Sequence, residues 1–131
     1  MQGAPGIDPD LYFDEEGRLW YTGQHKPNNL EFIDQKEIWM QELNLETFQL
    51  MGERYHLWRG ACDGVWTEGP HIYKNEGRYY LMIAEGGTSF NHAVMVAASD
   101  KLTGPYVSNA RNPIFTSRQL SYENWVHSTG H

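Results

Sequence analysis

The sequence predicts an all-β fold, built as part of a β-propeller, and three observations carry that prediction. Aromatics make up 14% of the residues, with 8 Tyr and 5 Trp alongside 13 Gly. That mixture suits short strands and tight turns better than long helices. The chain also repeats itself: "DPDLYFDEEGRLWYT" and "GPHIYKNEGRYYLM" share a Pro, an aliphatic residue, a Tyr, a polar turn, Glu-Gly-Arg and an aromatic run. Tyr12 matches Tyr73 at a spacing of 61 and Gly17 matches Gly77 at a spacing of 60, so the second turn is one residue shorter. Finally, each copy is followed by two further strand signals. Four antiparallel strands per unit, repeated after about 60 residues, describe propeller blades.

The elements follow in order. Pro9 to Asp14 and Arg18 to Thr22 flank a Gly-containing turn, as a hairpin requires. Glu37 to Leu43 supplies a third strand and Phe48 to Met51 a weaker fourth. A helix over "DQKEIWMQELNLE" competes with that third strand. In the second copy the strands are Pro70 to Lys74, Arg78 to Ala84, His92 to Ser99 and Pro105 to Ser108; Val94, Val96 and Ala98 alternate with Met95 and Ala97. The chain thus reads as one domain, 1–131, with blade-like repeats at about 7–60 and 67–115 and the start of a next blade at 116–131. Two blades do not close a ring. The expectation is a piece of a larger propeller, whose open strand edges are covered by further blades or by self-association.

Composition narrows the partners. A net charge of -7 repels phosphate backbones and anionic lipid, so neither nucleic acid nor a membrane surface is expected. Cys62 is the single cysteine, no Asn-x-Ser/Thr acceptor occurs, and "MQGAPGIDPD" has neither a basic nor an apolar leader region. These features agree with a cytoplasmic protein, with secretion as the alternative if a signal precedes this sequence.

Two carboxylates stand at strand starts, Asp8 in "IDPD" and Glu68 in "WTEGPH". In a propeller the first strand of each blade lines the central channel, which would present both acids to one cavity. An acid beside an indole, here Trp66, is partly desolvated, and a second carboxylate nearby disfavours its ionisation further. Such a group stays protonated and can act as a general acid. The bland alternative is an Asx-Pro turn at Asp8 and a strand-end surface charge at Glu68. In "AEGGTSFNH", Gly86 and Gly87 suit a hairpin turn that lets backbone approach a ligand better than a phosphate loop, since no Gly-Lys-Ser/Thr follows. His127 and His131 have the spacing of four that would suit zinc on a helix, but no third nitrogen or thiolate ligand is near in sequence.

From "GIDPDLYFDEEGRLWYTG" through "IWMQELNLET" and "WTEGPHIYKNEGRYYLMIAEGGTSFNHAVMVAASDKLTGPY" to "NPIFTSR" and the final "GH", the chain resembles glycoside hydrolase family 43. It is most similar to the branch of β-xylosidases and α-L-arabinofuranosidases. The resemblance implies a five-bladed propeller and hydrolysis of glycosidic bonds with inversion, here by an exo-acting enzyme on xylan- or arabinan-derived oligosaccharides. It implies Glu68 as the general acid and Asp8 as the carboxylate that raises the acid's pKa and orients it. By the same resemblance Thr88 lines the sugar pocket and Ile7 forms part of its apolar floor; of the aromatics, most of which suit blade packing, Trp66 is the one expected near the pocket. His131 matches the histidine of the family's "GHAD"-type motif, which implies calcium held directly or through water. The family's third acid, an Asp acting as general base, has no counterpart in these 131 residues. Inversion needs that base across the sugar at a carboxyl separation of roughly 6.5–9.5 Å. Two rivals follow from its absence: a non-catalytic carbohydrate-binding propeller, and an inactive, self-associating fragment.

Overall fold

The computed structural model describes residues 4–61 and 65–124. They form two antiparallel sheets and no α-helix. The first sheet holds β1 (Asp10–Phe13), β2 (Leu19–His25), β3 (Glu37–Leu43) and β4 (Leu50–Trp58), side by side in chain order. The second holds β5 (Glu68–Asn75), β6 (Arg78–Glu85), β7 (Ala93–Ser99) and β8 (Val107–Ser108) in the same order, with β9 (Phe115–Thr116) also paired to β7. A short 3₁₀ turn, Tyr122–Asn124, follows. Each sheet is a chain-ordered antiparallel meander, which is the plan of a propeller blade.

The two matching hairpins differ as the one-residue offset requires. In the first, Asp14 N donates to Arg18 O at 3.0 Å and Gly17 N donates to Asp14 O at 3.1 Å, with Gly17 at φ 79°. This is a three-residue loop ending in a left-handed glycine. In the second, Asn75 pairs directly with Arg78, and Glu76 and Gly77 have φ of 48° and 80°. Two successive left-handed residues make the tight turn that matches strand twist. The first loop is further fixed by Asp14, whose carboxylate accepts bonds from Glu16 N (3.0 Å), Arg18 N (2.9 Å), Arg18 Nε (2.8 Å) and Trp20 Nε1 (2.9 Å).

"DQKEIWMQELNLE" contributes a strand here. Ile38, Trp39 and Met40 are buried on both faces, which a middle strand between β2 and β4 achieves. The fourth strand is a correction: it runs Leu50–Trp58, whereas the sequence pattern placed it at Phe48 to Met51. Gly52 and the charged Glu53 and Arg54 hide its continuation, and the register slips between Gln41 and Glu42. Gln41 Nε2 donates to Gly52 O across that irregularity at 3.0 Å. Beyond it Tyr55 and Leu57 turn toward the core. β8 is shorter than Pro105 to Ser108, and β9 keeps the chain on the second sheet through Thr116, which pairs with Ala93.

The main core lies between the sheets. Trp20, Ile38, Met40 and Leu57 of the first meet Ile72, Leu81, Ile83 and Met95 of the second. Each such side chain, fully buried, contributes about 1.5–3 kcal/mol. The opposite face of the first sheet carries a smaller cluster of Leu19, Tyr21, Trp39 and Leu43, with the Arg54 guanidinium 4.2 Å from the Trp39 ring. Polar links join the inner strands: Lys74 Nζ lies 2.7 Å from Glu15 Oε1, and the rings of Tyr12 and Tyr79 meet edge to face.

Candidate active site

Both first strands begin with unusual backbone. Asp8 has φ 51° and Gly69 has φ 57°, and each immediately precedes a proline, a setting that normally favours extended backbone. The repeat aligns these two residues, because 8 plus the spacing of 61 gives 69. Glu68 therefore sits one position before the second-sheet equivalent of Asp8, and β5 carries a bulge between Glu68 and His71. Asp10 ties the two strand starts together: its Oδ2 accepts Ile72 N at 3.3 Å, and its Oδ1 lies 3.6 Å from His71 Nδ1. The two sheets thus meet along β1 and β5, with Asp8 and Glu68 at the same end.

Trp66 is held from three sides. Its N donates to Asp34 O at 3.4 Å, and the neighbouring Val65 bridges to Gln35, both from the approach to β3. A methyl group on Gly87 would lie 3.2 Å from the Trp66 ring, so the indole rests on bare backbone. Trp66 itself has φ 50°, a strained conformation for a bulky residue that its surroundings must enforce. The residue nevertheless remains 43% exposed. The result is a surface aromatic fixed in place beside a cavity of about 280 Å³, lined by Val65, Trp66, Glu85, Gly86, Asn91 and Arg118.

Glu85 and Arg118 complete that cavity, and sequence reasoning assigned neither a role. Glu85 is buried at the end of β6, where its Oε1 accepts Ala61 N at 2.5 Å. Gly60 leaves room for it, since a methyl there would fall 1.9 Å from the same oxygen. The signal was an acid closing the otherwise apolar run "YYLMIAE". Arg118 reaches the cavity from beyond β9, with its Nε donating to Asn91 O at 2.6 Å. The loop between β6 and β7 is pinned from inside as well: His92 Nδ1 donates to Gly87 O at 2.7 Å, and Thr116 Oγ1 donates to His92 O at 2.9 Å.

Of the residues singled out from sequence, Trp66 lines the cavity. Glu68 opens β5, half-buried, and pairs with Ala84 beside Glu85. Thr88 lies exposed on the loop that follows Gly87, outside the cavity lining, and Ile7 is 54% exposed beside Asp8. His131, and with it the calcium implied by resemblance, lies outside the described residues, as do His127 and Cys62.

The sequence profile of "Glycosyl hydrolases family 43" matches residues 1–131. A "Xylosidase/arabinosidase" of Butyrivibrio fibrisolvens is 47% identical over 130 residues, covering 98% of this chain and 25% of that protein. A "Xylosidase/arabinosidase 43B" of Humicola insolens is 36% identical over 120 residues, covering 88% of this chain and 21% of that protein. Among solved structures, a GH43_12 protein retrieved from a capybara gut metagenome superposes with a TM-score of 0.86 at 36% identity, over 92% of this chain and 24% of its own. The xylan beta-1,4-xylosidase of Bacillus halodurans C-125 gives a TM-score of 0.78 at 36% identity, over 90% of this chain and 22% of its own. The chain spans about a quarter or less of the length of these relatives.

Proposed function

The chain belongs to family 43 of the glycosyl hydrolases, and on that premise we propose that it supplies the acid side of an inverting, exo-acting glycosidase site. The substrates of that site are short oligosaccharides from xylan or arabinan that end in xylose or arabinofuranose. The observation that carries this reading is the position of Glu68, two residues from the indole of Trp66 and paired with Ala84, the neighbour of Glu85; Trp66 and Glu85 both line the cavity. An exposed aromatic face beside a cavity that also carries Glu85, Asn91 and Arg118 suits a sugar ring, which packs its C–H face on the indole and its hydroxyls on polar groups.

In the reaction Glu68 gives its proton to the glycosidic oxygen as the bond from that oxygen to the anomeric carbon breaks. A water attacks that carbon from the opposite face and yields its proton to a carboxylate base, so the product sugar is inverted. Asp8 acts as a positioning residue: its negative charge at the same end disfavours ionisation of Glu68 and keeps the acid proton in place. The base has no counterpart in these 131 residues, so the chain alone is expected to show no hydrolysis. Arg118 and Asn91 provide hydrogen-bonding groups toward the sugar.

The test replaces the matching segment of the Butyrivibrio relative with residues 1–131. The chimera is expected to release pentose from aryl and unactivated glycosides. Glu68→Gln in it should cost about 10²–10⁴-fold on unactivated substrates, the usual worth of a general acid, and far less where the leaving group needs no proton. Asp8→Asn should shift the basic limb of the rate profile toward acid, because Glu68 then ionises more easily. An active chimera that is indifferent to Glu68→Gln would overturn the assignment.

A further inference from the structure

A second cluster of chemistry-bearing side chains lies at the outer part of the first sheet, on the face opposite the main core. His25 ends β2, Glu37 begins β3, and His56 lies in β4. The strand register brings them together: His25 pairs with Glu37, and His56 stands opposite Trp39, two residues along the same face. His25 Nε2 is 3.1 Å from Glu37 Oε1, and His56 Nδ1 is 3.2 Å from the same oxygen. The three donor atoms all lie within 4.8 Å of one another.

Two plain imidazole-to-carboxylate hydrogen bonds are the simplest account of such distances, and the geometry argues against it at His25. Its Nε2 is buried and 3.1 Å from Glu37 Oε1, an oxygen it shares with His56, and the contact is poorly directed for a hydrogen bond. A buried nitrogen left so is costly unless another partner takes it. The spacing fits that partner being an ion. Donors about 2.1 Å from a tetrahedral zinc stand about 3.4 Å apart, close to the two separations found here. We propose that His25, Glu37 and His56 form a binding site for one divalent transition-metal ion of the zinc type.

The donor set decides the class of ion. Two imidazole nitrogens and one carboxylate oxygen suit zinc and its borderline neighbours, whereas calcium and magnesium call for six or more oxygens. Three protein ligands leave a fourth position for a further ligand, and His25 and His56 line a cavity of about 570 Å³ together with Lys26, Lys36 and Arg54. These cations lower the affinity for a bare divalent ion and favour an anionic fourth ligand, such as hydroxide or a carboxylate. A bound ion would clasp β2, β3 and β4 at one end of the sheet.

Calorimetric titration of the full 131-residue chain with zinc sulfate tests this, together with the visible spectrum after cobalt substitution. The expected result is one ion per chain, an intense cobalt band of four-coordinate type, and no displacement by a hundredfold excess of calcium. His56→Ala should weaken binding by more than about 100-fold, because losing a ligand costs more than the 10–100-fold lost with an orienting partner. The His56 side chain is 57% exposed, so that change leaves the core alone. Glu37→Gln keeps the shape, removes the charge and should weaken binding similarly. A double change of His127 and His131 to Ala should have no effect. The proposal is overturned by absence of zinc binding, by binding that survives His56→Ala, or by displacement of the ion by calcium.

Discussion

Gly60 and Glu85 form the tightest contact around the candidate site, and neither draws attention in the sequence. A methyl group at Gly60 would lie 1.9 Å from Glu85 Oε1 and 2.8 Å from Thr67 Oγ1, at a φ of 92°. Gly60→Ala should therefore dislodge the Glu85 carboxylate from Ala61 N and lower stability by about 1–3 kcal/mol, the range for a lost buried partner and backbone strain. An unchanged melting midpoint would show that the tie is dispensable. The place of Trp66 beside the cavity was legible because "WTEGPH" sets an indole and a charge against a turn. Glu85 was not, because "AEGGT" reads as a connector and its partners, Gly60 and Ala61, belong to the loop after β4. Arg118 escaped notice for the same reason: nothing local ties it to Asn91. Contacts made between segments distant in sequence leave no periodic trace, whereas a strained local string does.

Among the elements, the β1–β2 hairpin depends on Asp14 more than on its strands. The Asp14 side chain is only 6% exposed. Its burial works to raise its pKa, but the bonds from the Trp20 indole and from the backbone and side chain of Arg18 outweigh that and hold it below the ordinary carboxylate value. The sign follows directly. A group whose pKa is lowered by folding stabilises the fold above its unfolded value of about 3.9 and loses that contribution as the pH falls through the folded value. Asp14→Asn should cost about 1–3 kcal/mol at neutral pH and flatten the loss of stability below about pH 4. Thermal melts at pH 7 and pH 3 check both, and a variant that keeps the parent's acid sensitivity would assign that sensitivity elsewhere. The paired hairpins were legible from their shared Glu-Gly-Arg, down to the shorter second turn. The length of β4 was not, since a strand with a bulge, a glycine and two charged residues in succession breaks the alternation on which such reading rests.

At the level of the whole molecule, the apolar surface is distributed as in a part of a ring. β1 alternates between half-buried and exposed residues and leaves Leu11 and Phe13 53% and 60% exposed. Tyr73 on β5 is 52% exposed in a similar way, and Val107 on β8 is 70% exposed. Apolar positions of this kind on innermost and outermost strands invite further β surface. The isolated chain is expected to self-associate, and sedimentation velocity showing a cooperative, stable monomer at tens of micromolar would contradict this. The propeller plan was legible because it is written twice, and two copies of one pattern separate signal from accident. What the duplication conceals is more consequential. Asp8 and Gly69 occupy one and the same seat, a left-handed residue ahead of a proline at the inner end of a blade. In one blade the seat carries a carboxylate and in the other a hydrogen atom, with the acid displaced to the next chair. A ring assembled from such modules can change what chemistry it offers to its centre by substituting a single residue, without redesigning any strand.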